Sequence, residues 1–161
     1  MEVRGKSIEL VPWDTMSHGN LAERLLPLYY HGSHAFLLCF SIDSAKSFSS
    51  ITERWDPQIK FFGGRNVPRF LVACKKDLRD DRSTVPSLES SPPPVISTAQ
   101  GKKVAHMIGA TYFECSSKTG ENVRELFLQV TESMDAEKVA WHSDGQGHHR
   151  WRYRNSDCVI V

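Results

Sequence analysis

Apolar residues in this chain come as short unbroken runs separated by stretches with helical spacing. The run Ala35-Phe36-Leu37-Leu38-Cys39-Phe40-Ser41-Ile42 lacks polar alternation, the pattern of a parallel strand buried on both faces. Phe48, Ile51, Trp55 and Ile59 then recur at helical spacing, and Ser44 is placed to cap a helix running through Lys60. Arg69-Phe70-Leu71-Val72-Ala73 reads as the next strand, Ser97 as the cap of a helix through His106 or Ile108, and Ala110-Thr111-Tyr112-Phe113 as the last strand. Gly120-Glu121-Asn122 leads into a final helix with a stripe of Val123, Leu126, Phe127, Val130 and Met134. Earlier in the chain, Ile8 to Trp13 reads as a strand whose Pro12 suits an end or an edge, and Leu21 to Tyr30 as a short helix. Alternating strands and helices with short connections predict an α/β fold, a doubly wound and mostly parallel sheet. Ligands of such sheets bind beyond the carboxyl ends of the strands.

Two polar segments fall at such ends: Cys74-Lys75-Lys76-Asp77 and Glu114-Cys115-Ser116-Ser117-Lys118-Thr119. A carboxylate such as that of Asp77 can accept two hydrogen bonds from the N1 and N2 edge of guanine, which adenine cannot offer. Leaving it unpaired is costly, so the contact discriminates between bases. Lys75 and Lys118 carry methylene stems long enough to cover the two faces of a purine, and a backbone N–H in Ser116-Ser117-Lys118 can meet the O6 carbonyl. Either segment alone is compatible with a lysine-bearing surface loop. Together, in this order and each after a strand, they resemble the two guanine-reading loops of Ras-superfamily GTPases. The resemblance narrows to the Rho family. Val11-Pro12-Trp13-Asp14-Thr15 is similar to its strand ending in Trp-Asp-Thr-Ala-Gly, and Arg24-Leu25-Leu26-Pro27-Leu28-Tyr29-Tyr30 to its switch II. Phe40-Ser41-Ile42-Asp43-Ser44 matches its strand end, and Lys75-Lys76-Asp77-Leu78-Arg79-Asp80-Asp81 the run that opens its insert helix. Cys74 stands where most small GTPases have Asn, a position at which Rho members tolerate Thr or Cys.

The resemblance implies GTP or GDP with Mg²⁺ as cofactors: Cys74, Lys75, Asp77, Ser116, Ser117 and Lys118 at guanine, and Asp14 reaching Mg²⁺ through water. It also implies exchange factors, GTPase-activating proteins, a dissociation inhibitor and effectors as partners, met through Trp13, Arg24, Leu25, Leu26, Pro27, Leu28 and Tyr30. Two family features do not occur in the 161 residues. No Gly-x-x-x-x-Gly-Lys-Ser/Thr loop is present to hold the α- and β-phosphates, and the switch I Thr that ligates Mg²⁺ is missing with it. Val3-Arg4-Gly5-Lys6-Ser7 resembles the tip of the family's second-to-third strand hairpin, so residues 1–136 are expected to form an N-terminally incomplete Rho-type G domain. Its first strand would then be missing from the middle of the sheet, leaving a gap of roughly 9–10 Å, and the isolated chain is expected to be unstable or dependent on a partner. The family's Asp-Thr-Ala-Gly-Gln-Glu becomes Asp14-Thr15-Met16-Ser17-His18-Gly19-Asn20, without the Gln that orients the attacking water. His18 reads more simply as an exposed loop residue than as its substitute.

Composition then narrows the partners. Charged residues make up 24 % and the net charge is +1, so no broad basic face for nucleic acid is expected. Cys39, Cys74 and Cys115 lie at or near strand ends, where reduced, buried thiols are usual, and no cysteine spacing suggests zinc or a disulfide framework. The insert at about 82–94 holds Pro86 and Pro92-Pro93-Pro94, which limit helix to a turn or two. Residues 137–161 read as a flexible hypervariable tail in which Arg150, Arg152 and Arg154 alternate with Trp151 and Tyr153, suited either to a membrane surface or to a solvated linker. Cys158-Val159-Ile160-Val161 fits a C-a-a-X prenylation box with Cys158 as the lipidated residue. With a lipid there, the cytoplasmic face of the plasma membrane, with a cytosolic pool, is the expected location.

Two functions of different class follow. One is a Rho-type GTP-binding switch in signalling to the actin cytoskeleton and polarity, with this chain poor in hydrolysis and weak in nucleotide binding. The other is a prenylated, nucleotide-independent Rho-like interaction module that engages regulators or effectors. The altered switch II favours the module; the two guanine loops favour the switch.

Overall fold

The computed structural model describes residues 2–3, 6–15, 30, 33–63, 67–79, 95–134, 141–143, 149–151 and 158–160. The chain divides into two compact units, one made of residues 37–57 and 69–126, the other of 1–36, 58–68 and 127–161. The first carries the parallel sheet, ordered β4 (Phe36–Ser41), β5 (Arg69–Cys74), β6 (Thr111–Glu114). The run 35–42 forms β4, in which Phe36, Leu37, Leu38 and Phe40 are buried but Cys39 is exposed; the central strand β5 is covered on both faces, with Phe70, Leu71, Val72 and Ala73 all at most 1 % exposed. β5 and β6 run parallel in the register Phe70↔Thr111 to Ala73↔Glu114.

The predicted helix after β4 starts where expected. Ser44 accepts from the Ser47 amide at 3.2 Å and caps α1 (Ala45–Ser50). It is not one regular helix, however. Ile51–Trp55 opens into a π-turn, with the Asp56 amide reaching back to the Ile51 carbonyl, before α2 (Asp56–Phe62) resumes. Pro57 accounts for this: a proline inside a helix has no N–H to donate and its ring crowds the carbonyl four residues earlier, here Glu53. Ser97 and Gln100 form a reciprocal capping box at the start of α3 (Thr98–Ile108), and Gly109, at φ +69°, closes it in the left-handed conformation. α4 (Val123–Ser133) buries Leu126 and Val130 of the predicted stripe.

In the other unit, β1 (Glu2–Val3) and β2 (Lys6–Ser7) form the short antiparallel pair expected of the hairpin tip. The strand expected from Ile8 shortens to β3 (Pro12–Asp14), which pairs in parallel with β9 (Cys158–Ile160). β7 (Trp141–Ser143) and β8 (His149–Trp151) pair antiparallel with Trp141 opposite Trp151. β7, β8 and β9 fall within the 137–161 segment read as a hypervariable tail. Tyr30, expected on a partner-contact surface, is instead 1 % exposed: its hydroxyl donates to Gln58 Oε1 at 3.2 Å and its ring packs edge-on to Phe36. Arg24, Leu25, Leu26, Pro27 and Leu28, His18 and the insert at 82–94 lie outside the described residues.

Candidate guanine-binding site

The site is built where β5 and β6 end side by side. Beyond Cys74 the chain turns sharply at Lys75, whose φ of +62° is left-handed, and a helical turn follows with amides of Leu78 and Arg79 donating to the carbonyls of Lys75 and Lys76. Beyond Glu114, residues 115–122 form a tight loop in which the Gly120 amide donates to the Ser116 carbonyl at 2.9 Å and the Ser116 amide to the Glu121 carbonyl at 3.1 Å. The two loops are joined by the Lys76 amide donating to the Cys115 carbonyl at 3.1 Å and by an ion pair between Lys76 and Glu121.

Asp77 is the centre of this arrangement. It is buried, at 8 % exposure, and its Oδ1 accepts from the fully buried Ser116 hydroxyl at 2.5 Å. Lys118 Nζ stands 3.7 Å from Oδ2. The Ser116 hydrogen bond, then the backbone amide of Asp77 itself and the Lys118 charge, hold the Asp77 carboxyl below the usual carboxylate range against the opposing effect of burial. Ser116 Oγ also accepts from the Thr119 amide at 3.2 Å, which fixes the hydroxyl so that its proton points to Asp77. Asp77 is thus an ionised, oriented acceptor at neutral pH. Ser117 and Lys118 are exposed, the latter with a side chain 66 % accessible. Lys75 is exposed too, and its Nζ reaches Asp43 Oδ2 at 3.4 Å, drawing in the end of β4.

The structure therefore brings together Lys75, Asp77, Ser116, Ser117 and Lys118, with Cys74 at the root of the first loop. Asp14 and Trp13 lie on β3 in the other unit, Asp14 exposed and Trp13 half-buried. Among the described residues no cluster of three or more His, Cys, Asp or Glu side chains could hold a metal ion. Asp14 is a single carboxylate that suits water-mediated contact with Mg²⁺, not a complete ligand set.

Sequence reasoning missed the braces beneath the loops. Glu114 accepts from Arg79 at 2.8 Å, Thr98 at 2.8 Å and Tyr112 at 2.7 Å, while its backbone carbonyl accepts from Asn122 Nδ2 at 3.0 Å. Burial alone would raise the Glu114 carboxyl, but Arg79, Tyr112 and Thr98 outweigh it and the group sits below its ordinary range. The one available signal was Arg79, a cation two residues past the proposed base-reading carboxylate.

The Ras family model matches residues 1–136. GTP-binding protein RHO1 of Candida albicans is 43 % identical over 132 residues, covering 81 % of this chain and 66 % of that protein. GTP-binding protein rho1 of Schizosaccharomyces pombe is 41 % identical and RHO1 of Saccharomyces cerevisiae 42 %, each again over 81 % of this chain and over 64 % and 62 % of those proteins. The chain spans slightly less than two thirds of the length of these curated relatives.

Proposed function

From the premise that the chain belongs to the Ras family, as a small GTPase of Rho type, we propose that it recognises guanine nucleotides through the 75–79 and 115–122 loops. The observation that carries this is Asp77, ionised and buried at the paired strand ends, with Ser116 and Lys118 fixing its direction. Guanine would be read by this carboxylate, stacked along the Lys75 and Lys118 stems, and met at O6 by an amide of 116–118. Base contacts of this kind amount to a few kcal/mol, which corresponds to roughly millimolar binding. Tight binding and Mg²⁺-assisted phosphoryl transfer depend on a phosphate loop, and no such motif occurs in these 161 residues. The residues present supply the base-reading half of a switch.

The wider cycle belongs to the same proposal: exchange factors, GTPase-activating proteins, a dissociation inhibitor and effectors as partners, signalling to the cytoskeleton, and prenylation of Cys158 holding the protein at the cytoplasmic face of the plasma membrane. The 16–20 segment, without a Gln to orient water, implies slow hydrolysis even where a phosphate loop is supplied. A single-turnover rate equal to that of ordinary Rho proteins would reject that part.

The direct test is ligand titration followed by NMR. Guanosine and GDP should shift amides of 75–79 and 115–120 with a dissociation constant on the order of millimolar. Adenosine should not, and Asp77→Ala should abolish the guanosine response while leaving the remaining spectrum intact. Equal responses to guanosine and adenosine, or none to either, would overturn the reading in favour of a nucleotide-independent interaction module.

A further inference from the structure

Three thiols lie on the three neighbouring strands of the parallel sheet or just past them: Cys39 within β4, exposed; Cys74 at the end of β5, half-buried; and Cys115 just past β6, buried. Of the three thiols expected to be buried, only Cys115 is. Cys39 and Cys74 each keep sulfur near the carbonyl two residues back, at 3.9 Å from Leu37 and 4.0 Å from Val72. Cys74 and Cys115 are the next pair in register after Ala73↔Glu114, since the Cys115 amide donates to the Ala73 carbonyl at 2.9 Å. Residues directly opposite on neighbouring strands point to the same side of a sheet and lie about 4.7–4.9 Å apart, inside the 4.4–6.8 Å Cα range that a disulfide spans. The Cys74 thiol interacts with those of both Cys115 and Cys39. Cys39 is set back along β4: the Ile42 amide, three residues on, is the one that donates to the Cys74 carbonyl, at 3.2 Å. Its backbone is therefore diagonal to Cys74, where Cα separations of about 7–8 Å are expected and a disulfide does not close without movement.

We propose that Cys74 and Cys115 form a reversible dithiol–disulfide site, with a low-molecular-weight disulfide of the glutathione class as its oxidant. The Cys74 thiolate attacks one sulfur of the small disulfide; a mixed disulfide forms, the old S–S bond breaks, and one small thiolate leaves and takes up a proton. The Cys115 thiol then gives up its proton and its sulfur attacks Cys74, expelling the second small thiolate, which takes up that proton. Two protein thiols are oxidised by two electrons and the small disulfide is reduced to two thiols. Because Cys74 directly precedes Lys75 and Cys115 directly precedes Ser116, the new bond ties together the roots of both loops.

The Cys115 contact favours the Cys74 thiolate, but the Cys39 contact and burial outweigh it and push Cys74 up to about 12. Only thiolate attacks a disulfide, so oxidation is slow at neutral pH and accelerates about tenfold per pH unit below that value.

The test equilibrates the reduced 161-residue chain with glutathione redox buffers, with and without denaturant, then traps free thiols by alkylation and maps peptides by mass. Under native conditions the expected product is a Cys74–Cys115 linked peptide, with Cys39 and Cys158 recovered alkylated or as glutathione mixed disulfides but linked to neither, a rate that rises with pH, and the same link in Cys39→Ser. In Cys115→Ser the link should vanish, leaving Cys74 as free thiol or as its glutathione mixed disulfide. Failure to crosslink at any glutathione ratio would overturn the proposal. So would a native link from Cys74 to Cys39, or a native mixture of pairings matching that in denaturant. The readout is a covalent bond, so it stands or falls independently of guanine binding.

Discussion

At the scale of single residues the candidate site is a set of carboxylates held ionised by neighbours. Asp77 and Glu114 both sit below their ordinary values of 3.8 and 4.5, the first through the Ser116 hydroxyl and Lys118, the second through Arg79, Tyr112 and Thr98 against burial. A depressed carboxyl stabilises the fold fully above its unfolded value and loses that contribution as pH falls through its folded value. Urea midpoints should therefore fall steadily below the ordinary carboxylate range, beyond a shallower decline that begins below pH 6.5, where burial of His34 keeps its ring neutral in the fold but not in the unfolded chain. Glu114→Gln weakens the charged bonds to Arg79 and should cost about 1.5–3 kcal/mol at pH 7. The gap between variant and parent should shrink once pH drops below 4.5. A gap that stays constant with pH would mean that shape, not charge, makes Glu114 matter. That Asp77, Ser116 and Lys118 lie together was legible because two short motifs carry them to the ends of adjacent strands. Glu114, Asp43 and Glu121 were not legible, because the lysines and arginine they pair with lie 32 to 45 residues away in the chain.

Among elements, local signals decided most boundaries. Ser44 and Ser97 start their helices as capping chemistry requires, and the two fully apolar runs became the strands of the parallel sheet. The π-turn before Pro57 and the strand pairs of the last twenty-one residues were not legible. The first trades one hydrogen-bond pattern for another within a helix of unchanged periodicity, and the second depends on which strand a short aromatic segment meets. The packing of α3 on β6 gives a test at this scale. A Cβ on Gly101 would lie 2.4 Å from the Tyr112 ring, the ring whose hydroxyl supports Glu114. Gly101→Ala should cost about 1–3 kcal/mol by overpacking despite the better helix propensity of Ala. Tyr112→Phe in that background should not restore it, whereas Tyr112→Leu should recover part of the loss in thermal melts. Ser97→Ala should cost about 1 kcal/mol through the lost cap alone.

For the molecule as a whole, the described residues of the two units differ in how deeply they are buried. Leu37, Leu38, Phe40, Ile42, Ile51, Phe70, Leu71 and Val72 are at most 2 % exposed and all belong to the unit that carries the sheet and the guanine loops. Among the described residues of the other unit, Tyr30, Phe36, Ile59 and Val130 are at most 1 % exposed, while Phe61 is 81 % exposed and β3 has three residues paired only with β9. Burial of apolar area is the main favourable term in folding, so elements with few buried contacts open at lower free energy than the core strands. Native-state hydrogen exchange should therefore resolve two levels. Amides of Leu37–Ile42, Phe70–Cys74 and Tyr112–Glu114 should be the slowest, and those of Trp13 and Asp14 should exchange orders of magnitude faster. The heat-capacity trace of the isolated chain should be broad or two-stepped, since a unit that opens early uncouples cooperative unfolding. One sharp transition with uniform protection in both units would show that residues 1–36 and 127–161 share the stability of the sheet, and would remove the expectation that this chain needs a partner to stay folded.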